Sequence, residues 1–428
     1  KYYGGENDMI SFLACLAFLI GGYFIYGNVV EKSVKLDDSS STPAIKLEDG
    51  VDYMPMPWHK VFLIQFLNIA GTGPIFGAIM GALFGPVAFL WITFGTIFAG
   101  GVHDFLSGVI SMKHDGTSVS EIVGIYLGNK MKLVMRIFSV ILLILVGTVF
   151  VTSPAGLLTS MTGIDKSIWV VLIIIYYMLA TVLPIDKVIG KIYPVFGAAL
   201  LFMAVGLCGA IFIGHFNGTM PMPEITLQNL HPEGLSMFPF LFVTIACGAI
   251  SGFHATQSPM MARCIQKESE SKKVFYGAMV VEGIVALIWC GVTIAFFGDS
   301  LAISSALTEY GGQSGVVGLL SRELLGPMGS ILAVLGVVAC PITSGDTAFR
   351  SARLTIADAF KIKQEGFKNR FILAIPLFAV CIGLTFLDFN IIWRYFAWSN
   401  QTLATIFLWA ATVFLLKTKS NYWMTLIP

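Results

Sequence analysis

Charge is what this sequence has least of. Of its 428 residues only 12% are Asp, Glu, Lys or Arg, roughly half the share of a soluble domain. Hydrophobic residues make up 56% and the mean hydropathy is +0.82, which places the chain in a lipid bilayer on composition alone. The net charge is +1; with no basic surplus, nucleic acid is excluded as a partner. Paired cysteines are missing as well. Cys15, Cys208, Cys247, Cys264, Cys290, Cys340 and Cys381 are scattered through apolar runs with no CxxC spacing, so neither disulfides nor a zinc site is expected, and they read as small apolar residues. No small-residue cleavage site follows the first apolar run, which therefore reads as a retained helix rather than a signal peptide. Residues 1–8 are polar and Met9 reads as a natural start.

What is present is a series of apolar runs. A crossing needs about 20 apolar residues. Eleven runs qualify, near 9–30, 61–83, 86–110, 132–153, 167–185, 191–214, 236–262, 275–297, 328–348, 370–387 and 395–416. With the N-terminus outside and the C-terminus inside, 22 of the 26 lysines and arginines fall in inside loops, including Lys187, Lys191 and Lys363. That bias is the one expected of a cytoplasmic face. The inside connector, 31–60, carries the turn-rich Asp49-Gly50-Val51-Asp52-Tyr53. The outside loop 298–327 contains an apolar stretch, Val316 to Leu325, that reads as a short surface helix or lid. Trp58, Trp91, Trp169, Trp393, Trp398 and Trp423 lie near predicted ends and read as an interfacial belt. With 9–30 set aside as a peripheral helix, ten spans remain, five (61–214) and five (236–416). The reading is an all-α integral membrane protein of about 11 helices with a five-plus-five inverted repeat.

Two of the runs are interrupted, and each is the first of its half. One break is Gly71-Thr72-Gly73-Pro74; the other extends from Gly248 through Ser251, Gly252 and His254 to Pro259. Broken backbone at membrane depth survives only where it is buried in protein or lines a cavity, and a matched pair marks the substrate site of a secondary transporter. Pro74 suits the first turn of a restarted helix, whose free amides at Ile75 and Phe76 would attract an anion such as a carboxylate. Tight small-residue packing is the plainer alternative. The candidate substrate site is Gly71, Thr72, Gly73, Pro74, Ile75, Phe76, Ser251, Gly252 and His254.

Polar residues inside spans are costly and point to partners or pathways. Five groups stand out: His103-Asp104, His254, Glu282, Asp346 and Asn400-Gln401. Glu282, roughly two turns in from the inside end of its helix, is the leading proton carrier, with a structural hydrogen bond as its alternative. His254 reads as a substrate-binding or proton-carrying residue, with capping of the second half-helix as its alternative. His103-Asp104 reads as structural, paired with Lys113, more than as a relay; Asp346 completes the coupling candidates. The run Cys340-Pro341-Ile342-Thr343-Ser344-Gly345-Asp346 reads as a third interruption. Its Thr343 and Ser344 hydroxyls, with carbonyl oxygens near Ala70 and Gly71, offer the oxygen ligands a sodium ion needs. The other reading is Ser/Thr bonding back to the helix. No cofactor is expected beyond a coupling sodium ion or proton. Nothing in the sequence sets an oligomeric state.

Two other classes compete with transport. An intramembrane hydrolase could use Ser251 with His254 three residues on, which requires a serine–imidazole bond and an oxyanion hole. A channel would favour rings of charge along a continuous pore, and a sensing role can accompany transport.

From Met237 to His254 the sequence M-F-P-F-L-F-V-T-I-A-C-G-A-I-S-G-F-H closely resembles the carbon starvation protein A family of bacterial peptide and pyruvate transporters. The resemblance extends in collinear order through D-G-V-D-Y at 49–53, I-A-G-T-G-P at 69–74, H-D-F at 103–105, D-G-T-S at 115–118, Glu282, D-T-A-F-R-S-A-R at 346–353, S-N-Q-T-L-A at 399–404 and W-M-T-L-I-P at 423–428. It implies an inner-membrane secondary transporter with the LeuT-like fold of the amino acid–polyamine–organocation superfamily. The chain departs from the family in its shorter length, in H-D-F where Q-D-F is commoner, and in A-T-Q-S-P after His254.

Overall fold

The computed structural model describes residues 9–50, 53–180, 186–362 and 367–428; of 186–194, Asp358 and Phe367 it describes the backbone alone. Residues 1–8, Val51 and Asp52 of the connector turn, the 181–185 end of the fifth expected span, and Lys363 lie outside the described residues. The side chains of Lys187 and Lys191 lie outside them too.

Long apolar runs satisfy their own backbone in helices. Apart from one isolated bridge between Met56 and Ile265, every regular element among the described residues is helical. Helix α1 is Ile10–Phe24, continued by Tyr26–Ser33. Helix α2, Trp58–Ile69, is separated by the first break from α3, Gly73–Gly81. Helix α4, Gly101–Lys113, follows a wide π-helical stretch, Trp91–Gly100. Then come α5 (Val119–Leu127), α6 (Asn129–Thr162), α7 (Lys166–Ala180) and α8 (Asp186–Phe216). After the second break lie α9 (Gly252–Ala262) and α10 (Gly277–Phe297), then α11 (Gln313–Leu332), α12 (Ala339–Phe360), α13 (Phe367–Leu384) and α14 (Phe389–Lys417).

Each of the eleven expected stretches contains helix. Among the described residues seven helical runs are long and apolar enough for a full crossing, or eight if α2 and α3, bent by 49°, form one span. The boundaries shift most where polar ends extend an apolar middle. Helix α6 has 34 residues, beyond its predicted 132–153. Helix α10 continues a helical run from Glu268, which leaves Glu282 nearer mid-helix than expected. The loop 298–327 is mostly helical: Ser300–Glu309, capped by Asp299 accepting from the Ala302 amide at 2.7 Å, and then α11, kinked at Gly326.

One expectation is overturned. Residues 340–346 are not an interruption: α12 runs through them as helix. Pro341 cannot donate to Val337, and the irregularity this causes is absorbed one turn earlier, where Ala333–Val338 widens into a π-helical turn.

Helix α6 packs against both α12 and α14, while α9 sits against α2, α4 and α14, and α10 against α2 and α3. At the lysine-rich end the 31–60 connector is pinned to the loop after α9. The Met54 and Met56 amides donate to the Arg263 and Cys264 carbonyls at 3.2 and 3.0 Å, and Lys46 pairs with Asp115 at 2.9 Å. Not all the expected belt tryptophans sit in a belt. Trp58, Trp398 and Trp423 are exposed, but Trp393 is buried beside Phe76, ring centroids 6.0 Å apart.

Candidate substrate and coupling site

The first break occupies Ala70, Gly71 and Thr72. Pro74 falls in the first turn of α3, where its missing amide costs nothing. The Phe76 amide donates back to the Thr72 carbonyl at 2.8 Å. Among the described residues the Gly73 and Ile75 amides meet no acceptor, and the fully buried Thr72 hydroxyl has no partner. Several buried donors around a positive helix end are thus left open.

The second break spans residues 245–251, a longer unwound stretch than the first. It lies directly against the first. A Cβ added to Gly73 would come within 2.5 Å of both Cβ and Sγ of Cys247, and one added to Gly248 would lie 3.6 Å from Pro74 Cα. Only glycine permits backbones this close. From α6, Phe150 covers the junction: a Cβ on Gly71 would meet its ring at 2.6 Å, and it packs edge-on to Phe253 at 6.1 Å.

The second half-helix is capped. Asn400 of α14 accepts from the Phe253 amide at 2.7 Å and from the Ser251 hydroxyl at 3.1 Å, and donates to Cys247 Sγ at 3.2 Å. Its neighbour Gln401 donates to the Phe242 carbonyl on the near side of the break. Sequence reasoning marked this pair only as buried and polar. Its capping role has no local signal, because 147 residues separate Asn400 from Phe253.

Beside this cap lies a chain of four fully buried titratable side chains. His103 Nδ1 and His254 Nδ1 each lie 2.8 Å from a different oxygen of Asp104. His254 Nε2 lies 3.4 Å from Glu282 Oε2. Among the described residues neither Glu282 oxygen has a hydrogen bond, nor has either imidazole Nε2. Glu282 is also central. Ala286, one turn further along α10 on the same face, would meet a Cβ on Gly248 at 2.6 Å. The expected pairing of His103-Asp104 with Lys113 does not form; Lys113 instead donates to the Lys35 carbonyl at 2.8 Å and faces Glu268 at 3.4 Å.

The remaining candidates stand apart from this chain. Asp346 faces Arg350 at 3.8 Å. Ser344 donates to the Leu67 carbonyl at 3.1 Å, just before the first break, and Thr343 donates to the Cys340 carbonyl at 2.7 Å. Helices α12 and α2 therefore do meet near Ala70 and Gly71, through a hydroxyl–carbonyl bond. The serine–imidazole pair that a hydrolase needs is not formed. Ser251 donates to Asn400, and His254 is turned toward Asp104 and Glu282.

The carbon starvation protein CstA family model matches residues 7–163 and 152–304. An uncharacterized membrane protein of Haemophilus influenzae is 44% identical over 350 residues, covering 70% of this chain and 94% of that protein. The Bacillus subtilis peptide transporter CstA is 28% identical over 528 residues, covering 99% of this chain and 88% of that one. The Escherichia coli pyruvate/proton symporter BtsT is 27% identical over 329 residues, covering 62% of this chain and 46% of its own length. In fold, the chain is similar to a Na+-coupled sialic acid symporter (TM-score 0.53, 14% identity, 96% of this chain and 86% of that one). It is similar also to Mhp1, a nucleobase-cation-symport-1 family transporter (TM-score 0.52, 14% identity, 89% and 84%). Its all-helical architecture is thus the LeuT-like one, and the chain belongs to the carbon starvation protein CstA family.

Proposed function

We propose that the protein is a proton-coupled secondary transporter that imports a small carboxylate, a 2-oxo acid such as pyruvate or a short peptide. The observation that carries this reading is the buried Glu282 carboxyl, without a hydrogen bond among the described residues and 3.4 Å from a histidine already held by Asp104. A lone buried carboxyl beside an imidazole can take and release a proton as its surroundings change. The open amides of Gly73 and Ile75 and the Thr72 hydroxyl hold the solute carboxylate. The second terminus contributes fewer free amides, because Asn400 already holds that of Phe253 and the His254 amide donates to the Ser251 carbonyl.

In this reading eleven helices cross the bacterial inner membrane, N-terminus outside and C-terminus inside. The two five-helix halves rock against each other to alternate access. Each proton brought in supplies about 2.3 kcal/mol per 100 mV of membrane potential. The names of the relatives from Bacillus subtilis and Escherichia coli support a peptide or pyruvate as solute and a proton as partner. Sodium is the second reading, favoured by the place of Ser344 beside the first break.

The test is uptake of labelled pyruvate and of a labelled dipeptide into proteoliposomes, with proton and sodium gradients imposed separately. An inward proton gradient should drive accumulation of one solute class with no sodium present. Flux of neither solute under either gradient rejects the proposal; accumulation only with sodium moves the coupling site to α12.

A further inference from the structure

A groove of about 370 Å³ opens between α1, α2 and the start of α10. Its walls include Tyr23, Phe24, Trp58, Phe62, Val280 and Ile284. Several of its residues face outward: Phe24 is 61% exposed and Trp58 39%. Such a face on a membrane protein meets acyl chains, and the groove lies away from the two breaks. Its rim sits on the lysine-rich side of the molecule, and two cations stand there in unlike states. Lys272, 5.6 Å above the Tyr23 ring, is neutralised by Glu31 at 2.8 Å. Lys273 is exposed, lies 5.1 Å above the Trp58 ring, and has no carboxylate partner among the described residues. A snorkelling lysine over an interfacial ring would explain Lys273 by itself. It would not explain why that lysine caps a formed apolar groove.

We infer that this groove is a site for one anionic phospholipid, an acyl chain lying between α1 and α10 and the phosphate resting on Lys273. Apolar length and a single uncompensated positive charge fit a lipid with one net negative charge, such as phosphatidylglycerol. A zwitterionic lipid brings its own cation and gains little there. Basic pockets between helices at the cytoplasmic face select anionic headgroups in this way. The inference depends on the chain lying in a membrane and not on its solute or coupling ion.

The experiment uses the full chain in phosphatidylethanolamine vesicles with a minor component of brominated-chain phosphatidylglycerol. The Trp58 signal is the fluorescence difference between the parent protein and Trp58→Phe. Quenching of that signal should exceed the bulk share of the brominated lipid about fivefold, the ratio given by the ~1 kcal/mol of one lysine near an anionic headgroup. Brominated phosphatidylethanolamine at the same share should quench only in proportion to its abundance. Lys273→Gln, an exposed substitution, should reduce the phosphatidylglycerol effect to that level, and Lys130→Gln should not. Equal quenching by the two lipids in the parent protein, or a preference that survives Lys273→Gln, overturns the assignment.

Discussion

The two breaks share a plan and differ in what they leave unpaired. At the first, a three-residue gap restarts as α3 with the Gly73 and Ile75 amides and the Thr72 hydroxyl open. At the second, a seven-residue gap restarts as α9 with its Phe253 amide already held by Asn400 and with His254 built into a buried acid–imidazole chain. Open donors suit an arriving anion; a capped terminus beside Glu282 suits a proton. Under the proposed function, the contrast puts solute holding at the first break and coupling at the second. In that proposal, their contact through Gly73 and Cys247 would let one event sense the other.

The sharpest way to break that comparison is to push the two apart. Gly73→Ala places a Cβ 2.5 Å from Cys247 Cβ. Such overpacking costs about 1–3 kcal/mol, and a shift on the order of 1 Å at a reacting geometry can cost about 100-fold. Uptake should be nearly abolished while the purified protein still folds, as read by transport assay and thermal melting. Asp104→Asn acts on the second break alone. His103 and His254 each face a different oxygen of Asp104, and the amide turns one of these into an NH2 donor, so a charge-assisted bond of about 1.5–3 kcal/mol is lost. Gradient-driven accumulation should fail, whereas solute binding measured by equilibrium dialysis should fall far less. Loss of binding and of accumulation in parallel would merge the two roles.

Asn400→Ala should have a smaller effect. Removing a helix cap costs about 1 kcal/mol, seen as a lower melting temperature, and proton coupling should persist. Uncapping frees the Phe253 amide, so the solute affinity should change more than the maximal rate. Ser344→Ala should matter least, costing about 1 kcal/mol at most for its bond to the Leu67 carbonyl. Proton-driven uptake should stay within about twofold of the parent, a difference of roughly 0.4 kcal/mol. A collapse of uptake in Ser344→Ala would favour a sodium site instead.

The breaks were legible because glycine and proline punctuate otherwise unbroken apolar runs, a purely local signal. The members of the acid–imidazole chain were legible singly, since a charge inside a span is conspicuous wherever it lies. Their joining was not. Asp104 and His254 are 150 positions apart, and no spacing rule links them, whereas Lys113 lies near His103-Asp104 in sequence. The same reasoning misplaced the third interruption. Pro341 and its hydroxyl neighbours look like a gap in sequence, but the preceding turn widens to accommodate them. Helix α5 and Ser300–Glu309 escaped notice because short, partly polar helices at a membrane surface carry neither an apolar run nor a break. The cap at Asn400 is a tertiary contact with no trace in either segment.

The division between the two breaks is tested most directly by Glu282→Gln in proteoliposomes, with solute flux and internal pH followed together. The substituted protein should exchange labelled for unlabelled solute across the membrane, because the first break is intact, yet it should move no protons and build no gradient-driven accumulation at any pH. Proton uptake accompanying the solute at the parent ratio in Glu282→Gln would contradict the assignment of coupling to the second break.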